Sequence, residues 1–362
     1  MEKTRRSNRP RFVAAALVIA AVGGIALYSV AHRGPDGPPQ KDTVIGKAER
    51  DEAIENATRM LADHYVFPER ASAMTQALHA RMQHGEFDRI TSAAAFADAL
   101  TGALQADGND RHLAVRYFEQ PVVEPKEGDA DSAAESLHQL RLNYGMATVQ
   151  RLHGNIGYID VHAFGRPQAA APRIAAAMSL LQDTRALIID LRRCSGGDPD
   201  TVMLFASYLF DTPTHLNDIY WRDENRTESR WTTATVEGTR YGQSRRVYIL
   251  TSEDTFSGGE DFAYAMKYSG RATLVGETTG GGAHAGNPHR IGTHFMLFVP
   301  SGRPINPVTH TDWEGVGVEP DLKTSAKNAL DRAQIEILTG LIAEEHDPEW
   351  KQRLEETLAD LK

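Results

Sequence analysis

The spacing of apolar positions changes along the chain, and each change marks a different kind of segment. Phe12 to Ala31, "FVAAALVIAAVGGIALYSVA", is apolar and uncharged throughout. As a helix these 20 residues would rise about 30 Å, roughly the hydrocarbon thickness of a bilayer. From about Asp42 to Asp110 the apolar positions recur at helical spacing. "DEAIENATRMLADHY" sets Ile54, Ala57, Met60 and Leu61 on one face, and "TSAAAFADALTGALQAD" repeats the device. "DGND" breaks the helix, and "RHLAVRYF" then alternates like a short strand. Beyond an acidic, turn-rich stretch (119–136), short apolar runs of strand character appear: "NIGYIDV", "ALIIDLR", "VYILTS", "ATLVGE" and "HFMLFVP". "APRIAAAMSLLQ", "DPDTVMLFASYLF" and "GEDFAYAMKYS" lie between several of them and are helical. Strand–helix alternation of this kind predicts an α/β fold with a largely parallel sheet. "DIYWRDENRTESRWTT" reads as a polar-tipped hairpin, and "AKNALDRAQIEILTGLIAEE" as a long amphipathic helix near the end.

The pattern divides the chain into an anchor or signal segment with a Pro/Gly linker (1–41), a helical subdomain (42–118), a connector or flap (119–145), a core (146–325) and C-terminal helices (326–362). Lys3, Arg5, Arg6, Arg9 and Arg11 precede the first apolar run, which places that flank in the cytoplasm and the remainder outside. The run exceeds the usual apolar length of a cleavable signal, about 7–15 residues. An uncleaved anchor in a bacterial inner membrane is therefore expected, with cleavage after Ala31 as the alternative. Net charge is −10 and no basic stripe lies beyond the N-terminus, which argues against nucleic acid as a partner. One cysteine, Cys194, excludes an intrachain disulfide framework.

Two turns carry candidate chemistry. "EDTFSGGEDFAY" places Ser257 between the end of one predicted strand and the start of a helix. A hydroxyl there is either a nucleophile at a sharp elbow or a helix N-cap, with Glu260 completing a capping box. Gly258 and Gly259 permit the tight turn, although Thr255 stands where an elbow's first glycine would be. "IIDLRRCSGGDP" repeats the strand–turn–helix arrangement with Gly196 and Gly197. If the two strands are neighbours, a Gly196 or Gly197 amide joins that of Gly258 as an oxyanion donor. A serine nucleophile needs a base, and spacing does not choose among the 14 histidines. His112 starts a strand, His284 lies in "TTGGGAHAG", and His289 and His310 follow. "DWEGVGVEPD" offers Asp312, Glu314, Glu319 and Asp321 as carboxylates that orient an imidazole. There is no metal-spaced Cys/His set, and no metal or cofactor is expected.

The blocks "NDRHLAVRY", "GNIGYIDV", "LIIDLRRCSGGDP", "TSEDTFSGGEDFAYAMK", "RATLVGETTGGGAHAG" and "WEGVGVEPD" resemble the tail-specific, or C-terminal processing, serine peptidases. They look most like the branch of the tricorn protease core and the interphotoreceptor retinoid-binding protein modules. The resemblance spans roughly Asp42 to Leu322. It implies a ClpP/crotonase-like α/β core, a peptide or protein substrate, Ser257 as nucleophile and Gly258 as first oxyanion donor. It further implies His112 as base and Glu314 as the acid of a tricorn-type relay. The processing enzymes proper use a lysine base from a "YGKG" loop. Here Gly282 holds that position, which favours His112, with His284 as the alternative. The connector is too short for the PDZ domain of those enzymes, and Arg111 stands where tricorn has a serine before its histidine. A rival reading is a non-catalytic ligand- or peptide-binding module on the same fold. An α/β-hydrolase esterase fits poorly, because it needs the chain order Ser, acid, His.

Overall fold

The structure is a computed structural model that describes residues 41–123 and 133–362. The expected membrane segment, its linker up to Gln40 and the 124–132 part of the connector lie outside the described residues. Among the described residues, no helix is long and apolar enough to cross a membrane.

Three helices open the described chain: α1 (Lys47–His64), α2 (Pro68–Gln83) and α3 (Ala93–Gly108). Ser92 caps α3 by accepting the Ala95 amide at 3.0 Å. Asn109 ends it in the left-handed region at φ 47°. The chain turns there and enters β1 (Ala114–Tyr117). After α4 (Ala133–Arg141) come β2 (Met146–Leu152), β3 (Ile156–Val161), α5 (Pro167–Leu180), β4 (Ala186–Asp190) and α6 (Pro199–Ser207). A hairpin of β5 (His215–Trp221) and β6 (Arg226–Trp231) follows, then β7 (Arg246–Thr251), α7 (Gly258–Tyr268) and β8 (Thr273–Gly276). The chain closes with β9 (Ala285–Gly292), β10 (Phe295–Ile305), β11 (Leu322–Lys323), α8 (Ala329–Glu344) and α9 (Pro348–Asp360).

One sheet has six strands in the order β11-β8-β7-β4-β3-β2, parallel except for β2. Its inner strands β3 and β4 are buried on both faces, as covering by two helical layers requires, whereas the edge strand β2 is largely exposed. Leu187 and Ile189 of β4 pack with Ile174, Phe205 and Phe262 of α5–α7. Ala186 and Ile188 face the other way, onto Ile337 and Leu341 of α8. Each such buried aliphatic contributes about 1.5–3 kcal/mol over exposure.

The second sheet corrects the expectation that "HFMLFVP" joins the parallel strands. That run is β10, the hub of an antiparallel sheet ordered β1-β10-β5-β6, with β9 also on β10. A continuous apolar run identifies a buried strand but not its partners. Leu297 and Val299 of β10, with Ile291 of β9, pack against Ile54, Leu61, Phe96 and Leu100 of the opening helices. The helices at the front and strands from the end of the chain therefore share one core.

Candidate active site

The site lies where the carboxyl ends of β4 and β7 meet the amino ends of α6 and α7, the edge at which open α/β sheets bind ligands. β4 and β7 are adjacent and parallel, with Ile189 opposite Ile249 and Asp190 opposite Leu250. Their following turns are consequently in contact. The Phe256 amide donates to the Cys194 carbonyl at 2.9 Å. The Ser252 and Thr255 hydroxyls donate to the carbonyls of Arg192 and Leu191, at 2.5 and 2.7 Å. Thr255, the departure from the elbow pattern, thus fastens one turn to the other.

Ser257 stands at φ 52° and ψ −115°, a region non-glycine residues avoid, and such strain persists only where the surroundings impose it. An ordinary N-cap is extended and its side chain accepts a helix amide. Ser257 is not extended, and although it stands in a capping-box arrangement with Glu260, its hydroxyl makes no strict side-chain cap hydrogen bond. Glu260 supplies the other half of the box, its buried carboxylate accepting the Ser257 amide at 2.9 Å. The same carboxylate accepts the Thr279 hydroxyl at 2.5 Å and the Gly281 and Gly282 amides at 2.7 and 2.8 Å. Burial pushes Glu260 up to about 7 in spite of these donors.

A Cβ placed on Gly258 would lie 3.0 Å from the Gly197 nitrogen, so the two backbones touch. No acceptor among the described residues takes the Gly197 or Gly258 amide. Gly197, at φ 136°, must be glycine, since a Cβ there would fall 2.1 Å from the Phe164 carbonyl oxygen. The Gly196 amide faces the Cys194 thiol and its carbonyl accepts the Phe164 amide at 2.7 Å. The open pair of donors is therefore Gly197 and Gly258.

β1 brings His112 to this place through its register on β10, Ala114 opposite Phe298. The His112 ring is 6% exposed and packs 4.7 Å from the Phe256 ring, the neighbour of Ser257 in sequence. Burial above all, then nearby His284 and Arg111 against the opposing pull of Asp110, depresses it to about 4, so the imidazole is neutral. Its amide donates to Asp110 Oδ1 at 2.9 Å, and its Nδ1 lies 3.9 Å from the same oxygen. The other Asp110 oxygen accepts the Tyr65 hydroxyl at 3.1 Å and pairs with His284 Nδ1 at 2.7 Å. Burial opposes the Asp110 charge, but the bond to His284 outweighs it and holds the carboxyl below its usual value. His284 is raised: burial acts against its charge, and the bond and charge of Asp110 overcome that.

Glu314 joins from the other side. Its Oε2 accepts the Ala283 and His284 amides at 2.6 and 3.2 Å and lies 3.5 Å from His284 Nδ1. Its Oε1 is buried without a hydrogen bond. Burial and the Asp110 charge push its carboxyl up to about 8. Donor atoms of Asp110, His112 and Glu314 lie within 4.8 Å of one another. His284 Nδ1 lies between the two carboxylates, 2.7 Å from Asp110 and 3.5 Å from Glu314.

The remaining candidates lie apart from this cluster or support it. His289 stacks on His64 at 4.3 Å, and His310 is exposed on a loop. Asp312 accepts the Glu314 amide at 2.9 Å. Glu319 pairs with Lys323, and Asp321 accepts the Leu274 amide at 2.8 Å. At Gly282 a Cβ would sit 2.2 Å from the Phe256 ring and 2.8 Å from the His112 ring; the place of a lysine base is filled. Asp110 and Tyr65 are the residues that sequence reasoning passed over. The one available signal was a carboxylate two positions ahead of His112.

A model described as peptidase family S41 matches residues 155–324. One described as the N-terminal domain of peptidase S41 in eukaryotic IRBP matches residues 46–147. Among solved structures, the chain is similar to mature CPAF (TM-score 0.55, 12% identity, 78% of this chain and 94% of that one). It is also similar to a candidate peptidase from Parabacteroides merdae (TM-score 0.54, 16% identity, 81% and 96%) and to a lipoprotein from Streptococcus agalactiae (TM-score 0.51, 13% identity, 82% and 96%). At these identities the structural likeness speaks for the fold, and the matched family models for the family. The chain belongs to peptidase family S41.

Proposed function

We propose that the chain is a serine peptidase in which Ser257 is the nucleophile, His112 the general base, and Gly258 and Gly197 the oxyanion donors. The observation that carries this reading is the strained elbow at Ser257, which lies beside two uncommitted amides and whose sequence neighbour Phe256 packs against the buried neutral imidazole of His112. The hydroxyl attacks the peptide carbonyl carbon, His112 accepts its proton, and the two amides hold the oxyanion. Collapse expels the amine, which His112 protonates. Water then attacks the acyl-serine ester with His112 again as base, releasing the new carboxyl terminus and restoring Ser257. Glu314, once ionised, and Asp110 hold the imidazole and stabilise its charged form.

The chemistry is placed outside the cytoplasm of a bacterium. The basic flank and the apolar run Phe12–Ala31 support a single-pass inner-membrane anchor, with release to the periplasm if the chain is cut after Ala31. Fractionation of cells producing a C-terminally tagged chain tests this, and a soluble cytoplasmic product would overturn it.

Turnover of a peptide library by wild type, Ser257→Ala and His112→Ala tests the mechanism, with fluorophosphonate labelling mapped to its peptide. Each substitution is expected to lower kcat by about 10³-fold or more, and the label to fall on Ser257. Equal turnover in all three proteins would remove the assignment.

A further inference from the structure

Arg111 immediately precedes the base and is exposed. Its guanidinium is fixed along one edge: Nη1 donates to the Gly280 carbonyl at 2.7 Å, and the group lies 5.1 Å over the Phe256 ring. Gly280 is itself tied to the nucleophile turn by its amide, which donates to the Thr255 carbonyl at 2.9 Å. A Cβ at position 280 would come within 2.9 Å of both Nη1 and the Phe256 ring, so glycine there makes room for the guanidinium. The Nε and Nη2 groups donate to no acceptor among the described residues.

Acidic residues outnumber basic ones, 49 to 39, and Arg81, Arg185, Arg192, Arg230 and Arg246 all pair with carboxylates. Glu253 and Asp254 are exposed on the adjoining turn, yet neither is within ion-pair distance of Arg111. A guanidinium held by one edge and stacked on a ring loses little freedom when its other edge takes a planar anion.

We infer that Arg111 is a specificity residue that binds a carboxylate of the substrate close to the scissile bond, through the edge its fold contacts leave open. The inference rests on the peptidase reading of Ser257 and deepens it. The carboxylate is either an Asp or Glu side chain or the substrate's own C-terminus, and the chemistry at Arg111 is the same for both.

The test uses a short peptide with Glu or Gln at each position in turn, and the same peptide ending in an acid or an amide. Values of kcat/KM are taken for wild type and Arg111→Gln, and Kd by fluorescence anisotropy for Ser257→Ala with and without Arg111→Gln. Thermal melts check that the variants are folded. Because each ratio compares two peptides on one protein, any change that Arg111→Gln makes to the field at His112 cancels. Wild type is expected to prefer the carboxylate member of one pair by about five- to tenfold, and Arg111→Gln to bring that ratio close to one. A preference confined to the Glu/Gln pairs identifies an acidic side chain, and one confined to the acid/amide pair identifies the C-terminus. No preference in wild type, or the same preference in Arg111→Gln, overturns the inference. If wild type cleaves nothing the peptidase reading fails, while the anisotropy ratios still decide the role of Arg111.

Discussion

Around Asp110 two imidazoles are held in opposite states. His284 bonds to the carboxylate at 2.7 Å and is favoured as the cation, whereas His112, 3.9 Å away, is kept neutral by burial. The consequences for stability have opposite signs. An unfolded histidine titrates near 6.5, and His112 in the fold near 4. Between those values the unfolded chain binds more protons, so this group's contribution is present above about pH 6.5 and is lost as pH falls through about 4. Glu314, raised from 4.5 to about 8, acts the other way: its contribution is present below about pH 4.5 and is lost as pH rises through about 8. A protonated Glu314 cannot stabilise an imidazolium, so kcat/KM is expected to rise with pH through about 8. Glu314→Gln should remove that limb and lower kcat by about 10- to 100-fold; a pH–rate profile of the two proteins reads this, and a limb surviving in Glu314→Gln would assign it to another group. His284→Gln leaves the Asp110 carboxylate without its cation and is expected to cost about 3–5 kcal/mol in urea denaturation. A change below 1 kcal/mol would mean that His284 is uncharged in the fold.

Between elements, the geometry of the proposed catalytic site depends on how one strand–turn–helix unit grips the next. Glu260 is the main fastening, since one carboxylate takes the Ser257 amide, the Thr279 hydroxyl and two loop amides. Glu260→Ala would leave buried donors unmatched, each costing about 1–3 kcal/mol, so a loss of at least about 3 kcal/mol and of most activity is expected. Glu260→Gln, which keeps two of the acceptor positions, should fall between; a wild-type melting temperature in Glu260→Ala would show that water substitutes freely. Much at this scale was legible. The apolar runs of β3, β4, β7 and β8 and the helical spacing of α5–α7 mark the unit, and paired glycines mark both turns. What escaped has a physical reason. β9, "AGNPHRIG", carries Gly and Pro and lacks alternation, and it is a strand because the longer β10 pairs with it. That pairing also removes β10 from the parallel sheet. Asp110 escaped because its role is set by His284, 174 positions away, and by Tyr65 before it, neither of which a local pattern can join to it.

On the scale of the molecule, the proposed nucleophile and the proposed base are delivered by different cores. Ser257 belongs to the parallel sheet and its two helical layers, whereas His112 rides on β1, whose place is fixed by β10 and the opening helices. Sequence resemblance paired these two residues, but the coupling between the cores is a property of the packing and can be separated from stability. Leu297 of β10 is fully buried among the opening helices and sits opposite Val115 of β1. Leu338 of α8 is as deeply buried, on the far face of the parallel sheet. Truncation of either to alanine is expected to cost about 2–5 kcal/mol. Only Leu297→Ala lies in the packing that sets the register of β1 and hence the position of His112. At a temperature where both variants remain folded by circular dichroism, Leu297→Ala should therefore lose turnover per folded molecule, and Leu338→Ala should keep it. Equal activity in two equally destabilised variants would mean that His112 is placed by its immediate contacts with Phe256 and Asp110, without help from the opening helices.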